Sequence, residues 1–382
     1  MSAWVSRLPA PPALVPESLR VEPIREPAPA PPPGCTNAPP FYRLHLPSEG
    51  TPLFAMALGA RRRALTVVSP SGVNDAGLNV DDDSATWIVE PDRAGVRFVR
   101  GPVEPGSNAT LAASIDGAIV IAWSRAGADE RADGSLRIAW FPHDGASPRT
   151  FDLARAIGPL LTDLVCTDAR CALAYRYVDR WAAPGEDERA GFLRFVPGSA
   201  PFAMERTVAS QHATAANAAW ADGDAWAGTI TNGTPRWWVR PGGAVTVLDS
   251  RVQEVAHVGD AWWAVTAEAP LATTRCQPGE WRMRLHRVGV EGAIDAGVAV
   301  ATTDARPRGV RIRAIGAQHE PMVTWLDAPQ CAERFFVVRA WRGGQQSAVA
   351  TAEEYDVAVD GTRVSFVTRV GPRIRWFDAQ CP

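Results

Sequence analysis

The chain has 382 residues, of which 46% are hydrophobic and 21% charged, and a formal net charge of −3. That composition is globular, and the length suffices for one large core or two ordinary domains. The near-neutral charge gives no electrostatic case for nucleic-acid binding, and no apolar run approaches the roughly 18 residues of a membrane span.

All 39 basic residues are Arg, which fits a GC-rich genome. No charged start followed by an apolar segment marks a signal peptide. Six Cys nevertheless point to an oxidising compartment. The expectation is therefore an extracytoplasmic, monomeric protein whose export signal is not visible.

Residues 1–40 hold 12 of the 33 Pro. Such a segment favours extended polyproline conformations and buries little surface, so it is predicted to be a disordered leader. From Phe41 onward the chain reads as short β-like runs separated by turn signals. Asp152–Ile157 is the one stretch with the look of a helical turn.

The run AASIDGAIVIAW, residues 112–123, sets the pattern: two apolar runs joined by Asp116-Gly117. Asp-Gly supplies the positive φ angles of a two-residue hairpin turn. Related hairpins turn at Gly59-Ala60, Asp168-Ala169-Arg170, Asp222-Gly223, Gly259-Asp260, Gly316-Ala317 and Asp360-Gly361. Each is followed by an Arg-bearing strand: GVRFVR, SLRIAWF, GFLRFV, PRWWVR, WRMRLHRV, ERFFVVRAW and PRIRWF. Turns spaced 36 to 58 residues apart have the period of a propeller. Hairpins followed by third strands predict an all-β fold: a single seven-bladed β-propeller of four-stranded antiparallel blades over residues 41–382.

The chain ends directly after its last third strand, while Phe41–Leu46 stands alone at the other end. The expected solution is ring closure, with the N-terminal strand completing the C-terminal blade and removing an open edge. Cys35 and Cys381 flank that closure. Cys166 and Cys171 flank the third hairpin turn. Cys276 and Cys331 lie in corresponding loops of the fifth and sixth units. These three pairs are the predicted disulfides, although six Cys permit 15 pairings.

On these repeats the chain resembles the seven-bladed β-propeller class. The resemblance is one of repeat logic. The Trp-Asp ending of WD40 repeats does not recur, kelch glycine doublets occur only at Gly242-Gly243 and Gly343-Gly344, and sialidase Asp-boxes are not matched. No family's functional residues therefore carry over.

Function is sought on loops held by the scaffold. The long loops of the first three units carry 11 acids against four Arg, within a nearly neutral chain. Asp81, Asp82, Asp83, Asp129, Glu130, Glu186 and Asp187, with Trp181, are the candidate binding residues. Asn79, Asp81, Asp83 and Glu90 approximate a Ca²⁺ loop, except that Ser84 stands where its sharp turn needs Gly. No other cofactor is expected. The six His have no metal-ligand spacing.

The first strands of the blades line the central channel, and their ends at its mouth carry Asp163, Gln253, Glu254, Arg311, Arg313, Glu354 and Asp356. Arg311 and Arg313 share one face of their strand by period two. Ion pairs that satisfy the ring mouth account for this set. The alternative is a polar ligand such as a sugar, with Asp163, Glu254, Arg311 and Asp356 as a catalytic set. The main reading is a non-catalytic binding or scaffold module whose acidic loops meet a protein or polysaccharide partner, or a metal-bridged ligand. The alternative reading is a carbohydrate-active hydrolase or lyase at the channel mouth.

Overall fold

A computed structural model describes residues 20–23, 29–45, 56–58, 63–69, 83–92, 95–100, 107–115, 118–125, 133–142, 148–166, 170–178, 188–198, 204–212, 215–220, 226–231, 236–239, 245–269, 276–289, 291–328, 336–371 and 373–382. The described elements are strands. β1 (Arg20–Pro23) and β2 (Thr36–His45) precede a sheet of β3 (Met56–Leu58), β4 (Arg63–Ser69), β5 (Asp83–Asp92) and β6 (Gly95–Arg100). Next come β7 (Ser107–Ile115), β8 (Ala118–Arg125), β9 (Asp133–Phe141), β10 (Arg149–Cys166), β11 (Cys171–Val178), β12 (Glu188–Phe195) and β13 (Met204–His212). A four-stranded sheet follows, made of β14 (Ala215–Trp220), β15 (Trp226–Thr231), β16 (Arg236–Val239) and β17 (Val245–Leu248). Another holds β18 (Val252–Val258), β19 (Ala261–Glu268), β20 (Cys276–Val288) and β21 (Val298–Ala305). A further one holds β22 (Arg308–Ile315), β23 (Glu320–Asp327), β24 (Phe336–Arg342) and β25 (Gln345–Ala352). The chain closes with β26 (Glu354–Asp360), β27 (Arg363–Val370) and β28 (Arg373–Gln380).

The fold is an all-β propeller, but it does not divide into seven four-stranded blades. Among the described residues five blades are separate sheets: four of four strands, and one five-stranded sheet in the order β1-β2-β28-β27-β26. The other seven strands form one continuous sheet in the order β13-β12-β11-β10-β9-β8-β7. The cause is β10. Its first half pairs β9 from Arg149 to Ile157, and its second half pairs β11 from Ile157 to Cys166, without a break in the strand. A count of turn signals registers hairpins and is blind to a strand shared by two of them. The helical turn expected over Asp152–Ile157 lies in this strand.

Six of the seven Arg-bearing stretches form β9, β12, β16, β20, β24 and β28. GVRFVR is different. It is β6, the outer strand of its sheet, and β5 holds the third place instead.

Strands flanked by sheets on both faces are apolar throughout. β8, AIVIAWSR, is buried from Ala118 to Ser124, and β11 and β23 read similarly. Trp123, Trp325, Tyr175 and Phe192 are among the largest fully buried side chains. The Arg of several third strands holds an acid of its own sheet. Arg137 meets Asp152 directly across the register at 2.5 Å. Arg339 meets Asp327 at 2.6 Å.

β2 pairs antiparallel with β28, and Cys35 is bonded to Cys381 beside that pairing. Strand β1 and the start of β2 fall within the Pro-rich segment read as a leader. Pro39 and Pro40 cannot donate to a ladder, and the register with β28 breaks where they stand, between Ala38 and Tyr42. The Cys166–Cys171 disulfide spans its hairpin. Cys331 lies outside the described residues.

Candidate functional site at the centre of the ring

The inner strands stand side by side: β10 against β14, β14 against β18, β18 against β22, and β22 against β26. β26 meets β3, β3 meets β7 and β7 meets β10, so the ring closes on itself. Polar residues of β10, β18, β22 and β26 lie close enough to act on one another electrostatically.

Asp163 lies on β10, Glu254 on β18, Arg311 and Arg313 on β22, and Asp356 on β26. All five side chains are half-buried. Three stand directly after a break in strand register. The breaks fall between Leu161 and Asp163, between Val252 and Glu254, and between Arg308 and Arg311. A bulge adds a residue to one strand and re-aims the side chain that follows it. The two aspartates share a local device. Asp163 Oδ1 accepts from the Leu164 N–H at 3.0 Å, and Asp356 Oδ1 accepts from the Val357 N–H at 2.9 Å.

Burial pushes the Glu254 carboxyl up to about 7; Arg311, Arg313 and Arg236 oppose the shift and Asp163 reinforces it. Burial works against the Arg311 cation, yet the charges of Glu254, Asp356 and Asp163, together with Tyr355, raise its pKa above the ordinary value. These mutual effects show that Asp163, Glu254, Arg311 and Asp356 share one electrostatic field.

Arg311 donates through Nη1 to the Val310 carbonyl at 3.2 Å. Arg313 donates through Nη1 to the Ile312 carbonyl at 2.9 Å and through Nε to the Val357 carbonyl at 3.3 Å. Neither guanidinium forms an ion pair with a described residue, and Glu254 accepts no hydrogen bond from one. The guanidiniums of Arg311 and Arg313 thus bond to backbone carbonyls, while Glu254, Asp356 and Asp163 act on Arg311 through their charges.

The other two residues of the expected set are used structurally. Glu354 is paired with Arg369 on β27 at 3.0 Å. Gln253 donates to the Arg251 carbonyl at 2.9 Å and accepts from Arg306 at 3.2 Å.

Two participants were not singled out in the sequence. The Tyr355 hydroxyl donates to the Gly309 carbonyl at 2.5 Å and lies 3.0 Å from Thr324 Oγ1, tying β26 to β22 and β23. Burial raises its pKa above the ordinary phenol range, with Arg311 opposing. Arg236, from the stretch PRWWVR, has its pKa lowered first by burial; Glu254 opposes and Arg306 adds to the lowering. Its strand pattern reads as packing, so only the assembled ring reveals its proximity to Glu254.

Of the acidic-loop residues, Asp81, Asp82, Asp129, Glu130, Trp181, Glu186 and Asp187 lie outside the described residues. So do Asn79 and Asp81 of the Ca²⁺ set. Asp83 opens β5 and Glu90 lies seven positions on in the same strand. At about 3.3 Å per residue they stand roughly 23 Å apart along the backbone. No metal-ligating cluster forms among the described residues, and none of their helices is long and apolar enough to cross a membrane.

No family model matches the chain, and no curated protein matches it. Solved structures do resemble it in fold. The β-propeller domain of the Trilobed protease from Pyrococcus furiosus, described as having an open velcro topology, aligns at TM-score 0.51 and 12% identity. It covers 86% of this chain and 94% of its own. A puromycin hydrolase aligns at TM-score 0.50 and 14% identity over 84% of this chain, which spans half of that protein's length. At these identities the likeness shows the propeller fold.

Proposed function

We propose that this protein is a hydrolase acting on a polar, carbohydrate-type substrate at the centre of the ring, with Glu254 as proton donor. The observation that carries the reading is the convergence of Asp163, Glu254, Arg311 and Asp356 from four inner strands, with Glu254 unbonded and half-protonated near neutrality. A general acid works best when its pKa lies near the working pH. In glycoside cleavage the Glu254 carboxyl gives its proton to the leaving oxygen as the bond to the anomeric carbon breaks. Asp163 takes a proton from the water that forms the new bond. Two structural neighbours, one a protease's propeller domain and the other a hydrolase, support hydrolytic chemistry over a scaffold role. The two disulfides support an extracytoplasmic location.

The test is hydrolysis of a panel of p-nitrophenyl glycosides and plant and bacterial polysaccharides by the full chain. The reading expects turnover that falls as pH rises through about 7 and drops at least 100-fold in Glu254→Gln. Turnover unchanged in that variant, or absent across the panel, overturns it.

A further inference from the structure

The inner strand β22 passes through a bulge just before Arg311. Between Arg308, which pairs with Leu326, and Arg311, which pairs with Thr324, two residues of β22 stand opposite Trp325 alone. Such an insertion leaves backbone groups off the ladder. Gly309 takes the left-handed conformation there, at φ +55°, and an added Cβ would press on the Tyr355 ring at 3.3 Å. Side chains take both carbonyls of the bulge. The Val310 carbonyl accepts from Arg311 Nη1 at 3.2 Å, so the path of the bulge sets where that guanidinium lies. The Gly309 carbonyl accepts from the Tyr355 hydroxyl of β26 at 2.5 Å. A phenol has one proton to give. With that proton on Gly309, the Tyr355 oxygen accepts from Thr324 Oγ1 at 3.0 Å, a fully buried hydroxyl on the residue paired with Arg311.

We propose that Tyr355 is a positioning residue: its hydroxyl fixes the bulge of β22 and thereby holds the Arg311 guanidinium at the ring centre. The inference deepens the reading of that centre as a substrate site and rests on it for the use made of Arg311. The surroundings of the phenol agree with the role. Arg311 and Arg313 of β22 and Asp356 of β26 act on it through their charges, and Tyr355 acts on Arg311 in turn. Arg313 Nε donates to the Val357 carbonyl at 3.3 Å, so β22 and β26 keep a second tie when the hydroxyl alone is removed. The Tyr355 ring packs on the core that includes Leu326 and Val357, a contact that phenylalanine preserves. The consequence falls on Glu254. Arg311 opposes the rise of its carboxyl, as do Arg313 and Arg236, while burial and Asp163 drive it. Losing the Tyr355 bond frees the bulge, loosens the hold on Arg311 and sends the Glu254 midpoint higher.

The test is carbon-13 NMR titration of the Glu254 carboxyl in the full chain, compared among the parent, Tyr355→Phe, Arg311→Gln and the double variant. Arg311→Gln is expected to raise the midpoint above about 7, and Tyr355→Phe to raise it by a smaller amount, about 0.5 pH unit or more. Because Tyr355 acts through Arg311, the double variant should titrate where Arg311→Gln does. A tyrosine that only stabilises the fold would lower the melting temperature and leave the midpoint in place, and that result overturns the proposal. Shifts that add in the double variant overturn it too, as does a midpoint indifferent to Arg311→Gln. The unaltered protein decides the matter if the variants fail to fold. Its Tyr355 hydroxyl proton should exchange slowly with solvent and show an Overhauser contact to the Gly309 α-protons, and the absence of that contact overturns the proposal. None of these measurements needs turnover, so a raised midpoint in Tyr355→Phe beside an inactive parent keeps the positioning role and sinks the hydrolase reading alone.

Discussion

Cys35 and Cys381 are 346 residues apart in sequence and joined by a disulfide beside the pairing of β2 with β28. The bond and the strand pair fasten the ring at the same seam. Cross-linking so long a loop restricts the unfolded chain, and the chain-entropy account gives up to about 5 kcal/mol. Cys381→Ser should lower the melting temperature strongly, whereas Cys166→Ser, which opens a loop of sequence separation 5, should lower it much less. Thermal unfolding with and without reductant checks the order of the two effects.

The buried carboxylate of Asp378 accepts from Ser365 Oγ at 2.7 Å and from Arg363 Nη2 at 2.9 Å. Removing the cation takes away the guanidinium that offsets this charge. For a fully buried pair that costs roughly 3–5 kcal/mol, and the partly exposed Arg363 lowers the figure to about 2 kcal/mol. Arg363→Met should therefore destabilise by about that much in urea unfolding, and Arg363→Met with Asp378→Leu should recover part of the loss.

Gly191 pairs across the ladder with Tyr175, whose ring fills the place a side chain would take. A Cβ there would collide with the ring, which is fully buried and cannot retreat. Gly191→Ala is expected to destabilise by about 1–3 kcal/mol through overpacking, measured by the same unfolding assay.

The strand content was legible in the sequence because turn residues and apolar runs act locally. Asp116-Gly117 and the stretch SLRIAWF announce β7, β8 and β9 without reference to the rest of the chain. The division into blades was not legible. Whether β10 breaks at Gly158-Pro159 depends on its partners β9 and β11, which no local pattern encodes. The centre of the ring was half legible. Asp163, Glu254, Arg311 and Asp356 could be placed by their position at the channel-mouth ends of the expected first strands. Arg236 and Tyr355 could not, because they reach the site from a third strand and through a contact between neighbouring sheets. Nor does a list of charges say which pair off: Glu354 finds Arg369, and Glu254 finds no such partner.

Glu254 also makes stability depend on pH. Its carboxyl titrates at about 7 when folded, against 4.5 for the ordinary group. Below about pH 4.5 both states are protonated and nothing is lost. As pH rises from 4.5 to 7 the unfolded chain ionises first, and the folded state is penalised by a growing amount, on the order of 3 kcal/mol above pH 7. Glu254→Gln should therefore match the parent protein at pH 4 and exceed it in stability at pH 8, as read by urea midpoints at the two pH values.

The most direct test of the central claim is a carbon-13 NMR titration of the glutamate side-chain carboxyls, with Glu254→Gln used to assign the signal. The account predicts one carboxyl titrating near pH 7 that vanishes in the variant. A Glu254 midpoint near 4.5 would contradict the placement of this residue in a shared field with Arg311 and Asp163, and with it the functional account.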